Sequence, residues 1–163
     1  MKRAIVLALS IILALTMAAP TVLAQENGGA PEDVSVTIPP DVIAQFPGAC
    51  SFPMQFELSG KGKTIELPDG RRIITSPGLH VTITNLDNGE QATFNITGTF
   101  HETTNLETGE VTTRVTGRNL LLDPEAGTVI AIGNFSFVFD AEGNLVQPLE
   151  GKGRLIDVCA LLG

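Results

Sequence analysis

Two histidines, His80 and His101, and two cysteines, Cys50 and Cys159, are the residues of this 163-residue chain best suited to metal, nucleophile or proton-transfer chemistry. Their spacing offers little of it. The cysteines lie far apart in the sequence and neither has a histidine close by, so no zinc or redox motif forms. An even cysteine count in a chain with a secretory start reads instead as a disulfide, Cys50 to Cys159. Such a bridge closes a loop of about 110 residues, worth on the order of 4–5 kcal/mol if it acts through chain entropy. His80 precedes Val81 and His101 follows Phe100, so strand alternation turns both histidines outward as surface residues. There is no Gly-x-Ser-x-Gly, His-Glu-x-x-His, phosphate loop or calcium loop, and no catalytic residue, cofactor or metal is expected. Gly60-Lys61-Gly62-Lys63 lacks the spacing and strand-to-helix setting of a phosphate cradle.

A second group is polar and shares the inward parity of its strands: Thr113, Asn119, Gln147 and Asp157. Buried polar groups need partners or water. Two readings follow. At the rims of a barrel, these residues simply meet solvent. If they converge, they line a small pocket with Phe94, Phe135 and Phe137, making these seven the candidate ligand-binding residues. Eight Phe without Trp or Tyr argue against a sugar-stacking platform and favour an apolar cavity.

The elements that must position these side chains are hairpins. Val129, Ala131, Gly133, Phe135, Phe137 and Phe139 alternate along one arm, and Leu145, Leu149, Gly151, Gly153 and Leu155 along the next. The turn Asp140-Ala141-Glu142-Gly143-Asn144 between them sets Phe139 opposite Leu145, Phe135 opposite Leu149 and Gly133 opposite Gly151. Leu67-Pro68-Asp69-Gly70-Arg71 places Ile65 opposite Ile73. Asn88-Gly89, read as a two-residue turn, pairs Ile83 with Phe94, Val81 with Ile96 and Leu79 with Gly98. A four-residue loop at 106–109 sets Phe100 against Val115; a three-residue loop swaps the face. The turn at 123–127 sets Leu121 on Val129, Gly117 on Gly133 and Val115 on Phe135. Ser76-Pro77-Gly78 is either a turn or a bulge within one long strand.

These hairpins predict an all-β, antiparallel up-and-down meander. Inward glycines recur at Gly60, Gly62, Gly98, Gly117, Gly133, Gly151 and Gly153, which implies tight curvature. The expected architecture is therefore a closed or nearly closed small β-barrel of six to eight strands, with an open β-sandwich as the alternative. If the disulfide brings first and last strands together, Glu57 faces Lys152 across the closing seam. Lys61, Lys63, Arg114, Arg118, Lys152 and Arg154 then form a solvated outer face.

The start of the chain carries an address. Lys2 and Arg3, an apolar run over 4–19 and small residues before Gln25 make residues 1–24 a secretory signal peptide, cut after Ala24. Polar residues follow the run directly, so no stable membrane insertion is expected after cleavage. Removal leaves 139 residues, one domain's worth, with a net charge of −10 in place of −8. That balance disfavours nucleic acid and anionic membranes as partners. Residues 25–49 are expected as a flexible leader, with a short strand over 34–38 and a helical turn capped by Asp41, and 50–163 as the barrel domain. Asn95-Ile96-Thr97 and Asn134-Phe135-Ser136 match the glycan acceptor pattern, but both fall inside strands and the short signal suits a bacterium. The functional expectation is an exported module at the cell exterior with a structural or interaction role and a protein partner. The alternatives are a binder of a small apolar ligand and, behind it, an enzyme using a barrel pocket.

Overall fold

The computed structural model describes residues 29–163, so the expected signal peptide and the first residues of the leader lie outside the described residues. In chain order the elements are β1 (Glu32–Ile38), α1 (Pro40–Ile43), β2 (Met54–Leu67), β3 (Arg71–Thr75), β4 (His80–Asn85), β5 (Gln91–Asn95), β6 (Thr99–Thr104), β7 (Val111–Asp123), β8 (Gly127–Phe139), β9 (Leu145–Asp157) and α2 (Val158–Leu162). Among the described residues all nine strands join one antiparallel sheet, which does not close.

The meander expected from the sequence is present, with its long arms broken. β2 pairs with β3 through its second half and with β4 through its first. β3 and β4 are thus one returning arm interrupted at Ser76-Pro77-Gly78, where Pro and Gly permit the break. β5 and β6 form the next arm, pairing with β4 and β3 in turn, and β7, β8 and β9 follow as uninterrupted strands of thirteen residues each.

The expected barrel closure is wrong, for a reason visible at β2. β1 pairs along β2 from Ile38↔Phe56 to Glu32↔Gly62, occupying the edge that closure would have given to β9. Glu57 lies between Thr37 and Thr82, and Lys152 lies opposite Asn134, so the Glu57–Lys152 pair does not form. The disulfide itself is present, Cys50 to Cys159 with Cα atoms 5.4 Å apart. It imposes no strand pairing, because Cys50 precedes β2 and Cys159 sits inside α2.

Registers were legible wherever the turn was well defined. Ile65↔Ile73, Leu121↔Val129, Gly117↔Gly133, Val115↔Phe135 and Phe139↔Leu145 all stand as read, and of the two registers open at 106–109 the four-residue loop, Phe100↔Val115, is the one present. Two hairpins differ by two residues. The β4–β5 loop takes four residues, closed by Asn85 and Glu90, so Val81 meets Phe94 and Ile83 meets Ala92. Its sequence over 84–90, TNLDNGE, returns as TNLETGE over 104–110, and the β6–β7 loop closes in the same way. In each loop the Asn side chain accepts from a backbone N–H two residues on, at 2.9 Å, which favours this longer turn over the tight Asn-Gly one. In β9, one register shift opposite Phe137 and a second between Val138 and Phe139 put Phe135 against Gly151 and Gly133 against Gly153. Pro148 lies in this bulge, where a missing N–H costs no ladder bond.

Two apolar clusters hold the sheet. One joins Ile38, Met54, Phe56, Leu58, Val81 and Ile83 from β1, β2 and β4 to Leu120 and Ile130 from β7 and β8, with Ile43, Val158 and Leu162 from the helical ends. The other gathers Val115, Leu121, Val129, Ala131, Phe135 and Phe137, flanked by Phe100, Phe139, Leu145 and Leu149. Successive residues on β7 and β8, Leu120 and Leu121, Val129 and Ile130, go to different clusters, so these strands are buried on both faces there. Where the strands bend, glycine is required. A Cβ on Gly133, at φ 144°, would strike the Lys152 carbonyl and the Cα of Gly153.

The ends are tied down by polar groups. Asp157 Oδ1 accepts from Ala160 N at 2.9 Å and caps α2. Asn85 and Asn88 each donate to the Leu162 carbonyl at 2.9 Å, fastening the other end of that helix to the β4–β5 loop. α1 begins at Pro40, with Pro39 rather than Asp41 as its N-cap residue. At the last hairpin Asp140 accepts from Asn144 backbone and side chain, and these bonds, the side-chain one foremost, lower its pKa.

Candidate functional site

The seven candidate residues do not form one pocket. Phe94, half-buried on β5, packs against the cluster of β1, β2 and β4, whereas Phe135 and Phe137 belong to the other. Phe137 meets Phe139 edge-on, with ring centroids 5.6 Å apart. The ring of Phe135 lies over Gly153, near enough to meet a Cβ placed there. A glycine on one strand is thus covered by an aromatic ring from the next.

The polar members each have a local task. Asn119 is 2% exposed; its Nδ2 donates to the Thr116 carbonyl at 3.1 Å, and its amide fills the space beside Gly98 that a side chain there would take. Gln147 is half-buried opposite Val138 at the β9 bulge. Asp157 is exposed and caps α2. Only Thr113 sits beside another polar group of interest, between Glu102 and Phe137 in the ladder.

That neighbour is the feature sequence reasoning missed. Glu102 on β6 is 6% exposed and is held by Arg72 of β3, whose Nε donates to Oε2 at 2.6 Å while Nη2 approaches the same oxygen. The cross-strand row runs Glu66, Arg72, Glu102, Thr113, Phe137. The signal was available: Glu102 shares the parity of Phe100, and the register that sets Phe100 on Val115 sets Glu102 on Thr113. Chemically, the pair neutralises a buried carboxylate with a guanidinium fork, a cross-brace between β3 and β6.

His80 and His101 are both exposed, on β4 and β6. Among the described residues no three His, Cys, Asp or Glu side chains group as metal ligands, and no helix is long and apolar enough to cross a membrane. Cations gather elsewhere. Arg114, Arg118, Lys152 and Arg154 are all exposed on β7 and β9, with Arg118, Ile132 and Arg154 in one cross-strand row and Thr116, Asn134 and Lys152 in the next. Arg114 donates to Asn134 Oδ1 at 2.8 Å; among the described residues none of the four is in a salt bridge.

No protein-family model matches this chain, and neither does any curated protein or solved structure.

Proposed function

We propose that the protein is an exported interaction module, holding a macromolecular partner against its sheet rather than transforming a substrate or enclosing a ligand. The observation that carries this reading is the division of labour among its polar residues. Those directed inward, Asn119 and the Arg72–Glu102 pair, are engaged with neighbouring backbone or with each other. Those directed outward, Arg118, Lys152 and Arg154, are exposed cations in a chain of net charge −8. Charged groups held ready on a surface give specificity and encounter rate to an interface. Asp157, one of the candidate pocket residues, is occupied as a helix cap. The Cys50–Cys159 bridge supports an oxidising compartment, in keeping with secretion of a bacterial protein after signal cleavage.

The reading is tested by titrating the protein with a hydrophobic fluorescent probe. An interaction module with filled clusters leaves the probe's emission unchanged under native conditions. Saturable binding of one probe per chain, lost on Phe135→Trp, would instead establish a carrier of a small apolar ligand.

A further inference from the structure

Among the described residues three strands, β1, β5 and β9, pair with one neighbour each. β1 pairs only with β2, and β9 only with β8. β1 opens with the exposed acids Glu32 and Asp33, Asp33 lying 3.9 Å from Lys61, while β9 carries the exposed Lys152 and Arg154 between the exposed acids Glu150 and Asp157. β9 is not open along its whole length, because Pro148 and the bulge beside it blunt residues 145–149. The remainder, 150–157, is eight residues long, against seven in β1, which Pro31 and Pro39 bracket.

We propose that β1 of a second copy of this chain pairs antiparallel with the 150–157 edge of β9. This rests on the interaction reading above and gives it a partner. The register that sets Asp33 opposite Arg154 sets Val34 opposite Gly153, Ser35 opposite Lys152 and Val36 opposite Gly151. Directly opposed residues share a face. The anionic and hydroxyl side chains of β1 therefore meet both cations, and its two valines fall on the face of the two glycines, where the Phe135 ring already covers Gly153 and gives them an apolar neighbour. Both alternations match in a single register, and the paired edges satisfy backbone groups otherwise left to water. The contact is heterologous, edge β1 to edge β9, so copies join head to tail unless a two-fold arrangement closes them.

The experiment is sedimentation equilibrium on the oxidised chain after signal removal, from micromolar to millimolar concentration, at low and high salt. Association that weakens with salt is expected. Asp33→Arg alone and Arg154→Asp alone each place like charges in the seam and should weaken self-association about tenfold. Mixing the two variants restores it, because the arginine introduced in one chain then faces the aspartate introduced in the other. Both positions are exposed, and unchanged circular dichroism confirms the fold. A wild-type chain that stays monomeric throughout, or a mixture that associates no better than its components, overturns the pairing. The hydrophobic probe, added to the same samples, separates the failures. A monomer that ignores the probe loses only the self-pairing, whereas a monomer that binds it one to one loses the interaction reading as well.

Discussion

The two apolar clusters share β7 and β8 yet are held in different ways. The cluster of Phe56, Ile83, Leu120 and Ile130 lies between distant parts of the sheet, and its periphery is fastened by covalent and polar ties: the Cys50–Cys159 bridge, the Asp157 cap and the Asn85 and Asn88 bonds to α2. The cluster of Val115, Phe135 and Phe137 has none of these. It is assembled from consecutive hairpins, whose contacts are local in sequence, and is shaped by glycines that allow a ring to lie across the neighbouring strand. Non-local contacts must overcome loop-closure entropy and local ones much less, so the covalent tie is found where the chain ends meet.

That contrast can be broken at its strongest point first. Replacing both cysteines by alanine should cost about 4–5 kcal/mol by the loop-entropy argument. In native-state hydrogen exchange, protection should fall first in β1, α1 and α2 while the β7–β8 hairpin keeps its own. Equal loss in both clusters would show one cooperative unit. A smaller effect comes from Asp157→Ala, which removes the cap of α2 and should cost about 1 kcal/mol. Faster exchange should then appear at Ala160, with none at Phe137.

The same division explains what could be read from the sequence. Hairpin registers at 67–71, 123–127 and the last turn came out correctly, because a short turn and two alternating arms over-determine the pairing. The two slips, at Asn88-Gly89 and at Pro148, lie where a side-chain hydrogen bond or a bulge lengthened a connection without changing its parity. Closure failed for a different reason. Alternation fixes neighbours in sequence but not which edge β1 takes, and β1 took the place assigned to β9. The candidate residues are parted with it, Phe94 lying against one cluster and Phe135 and Phe137 in the other. Glu102 was missed because an acidic residue inside a polar run, His101 to Thr104, reads as surface until its register is set against Thr113.

The central claim is that the Phe135 cluster is filled and structural, leaving the outer edges to do the binding. Chemical denaturation of Phe135→Trp tests it most directly. A filled cluster has no space for the larger ring, and the substitution should cost about 1–3 kcal/mol with the native fold retained. Unchanged or increased stability would mean that the ring entered an existing cavity, contradicting the claim.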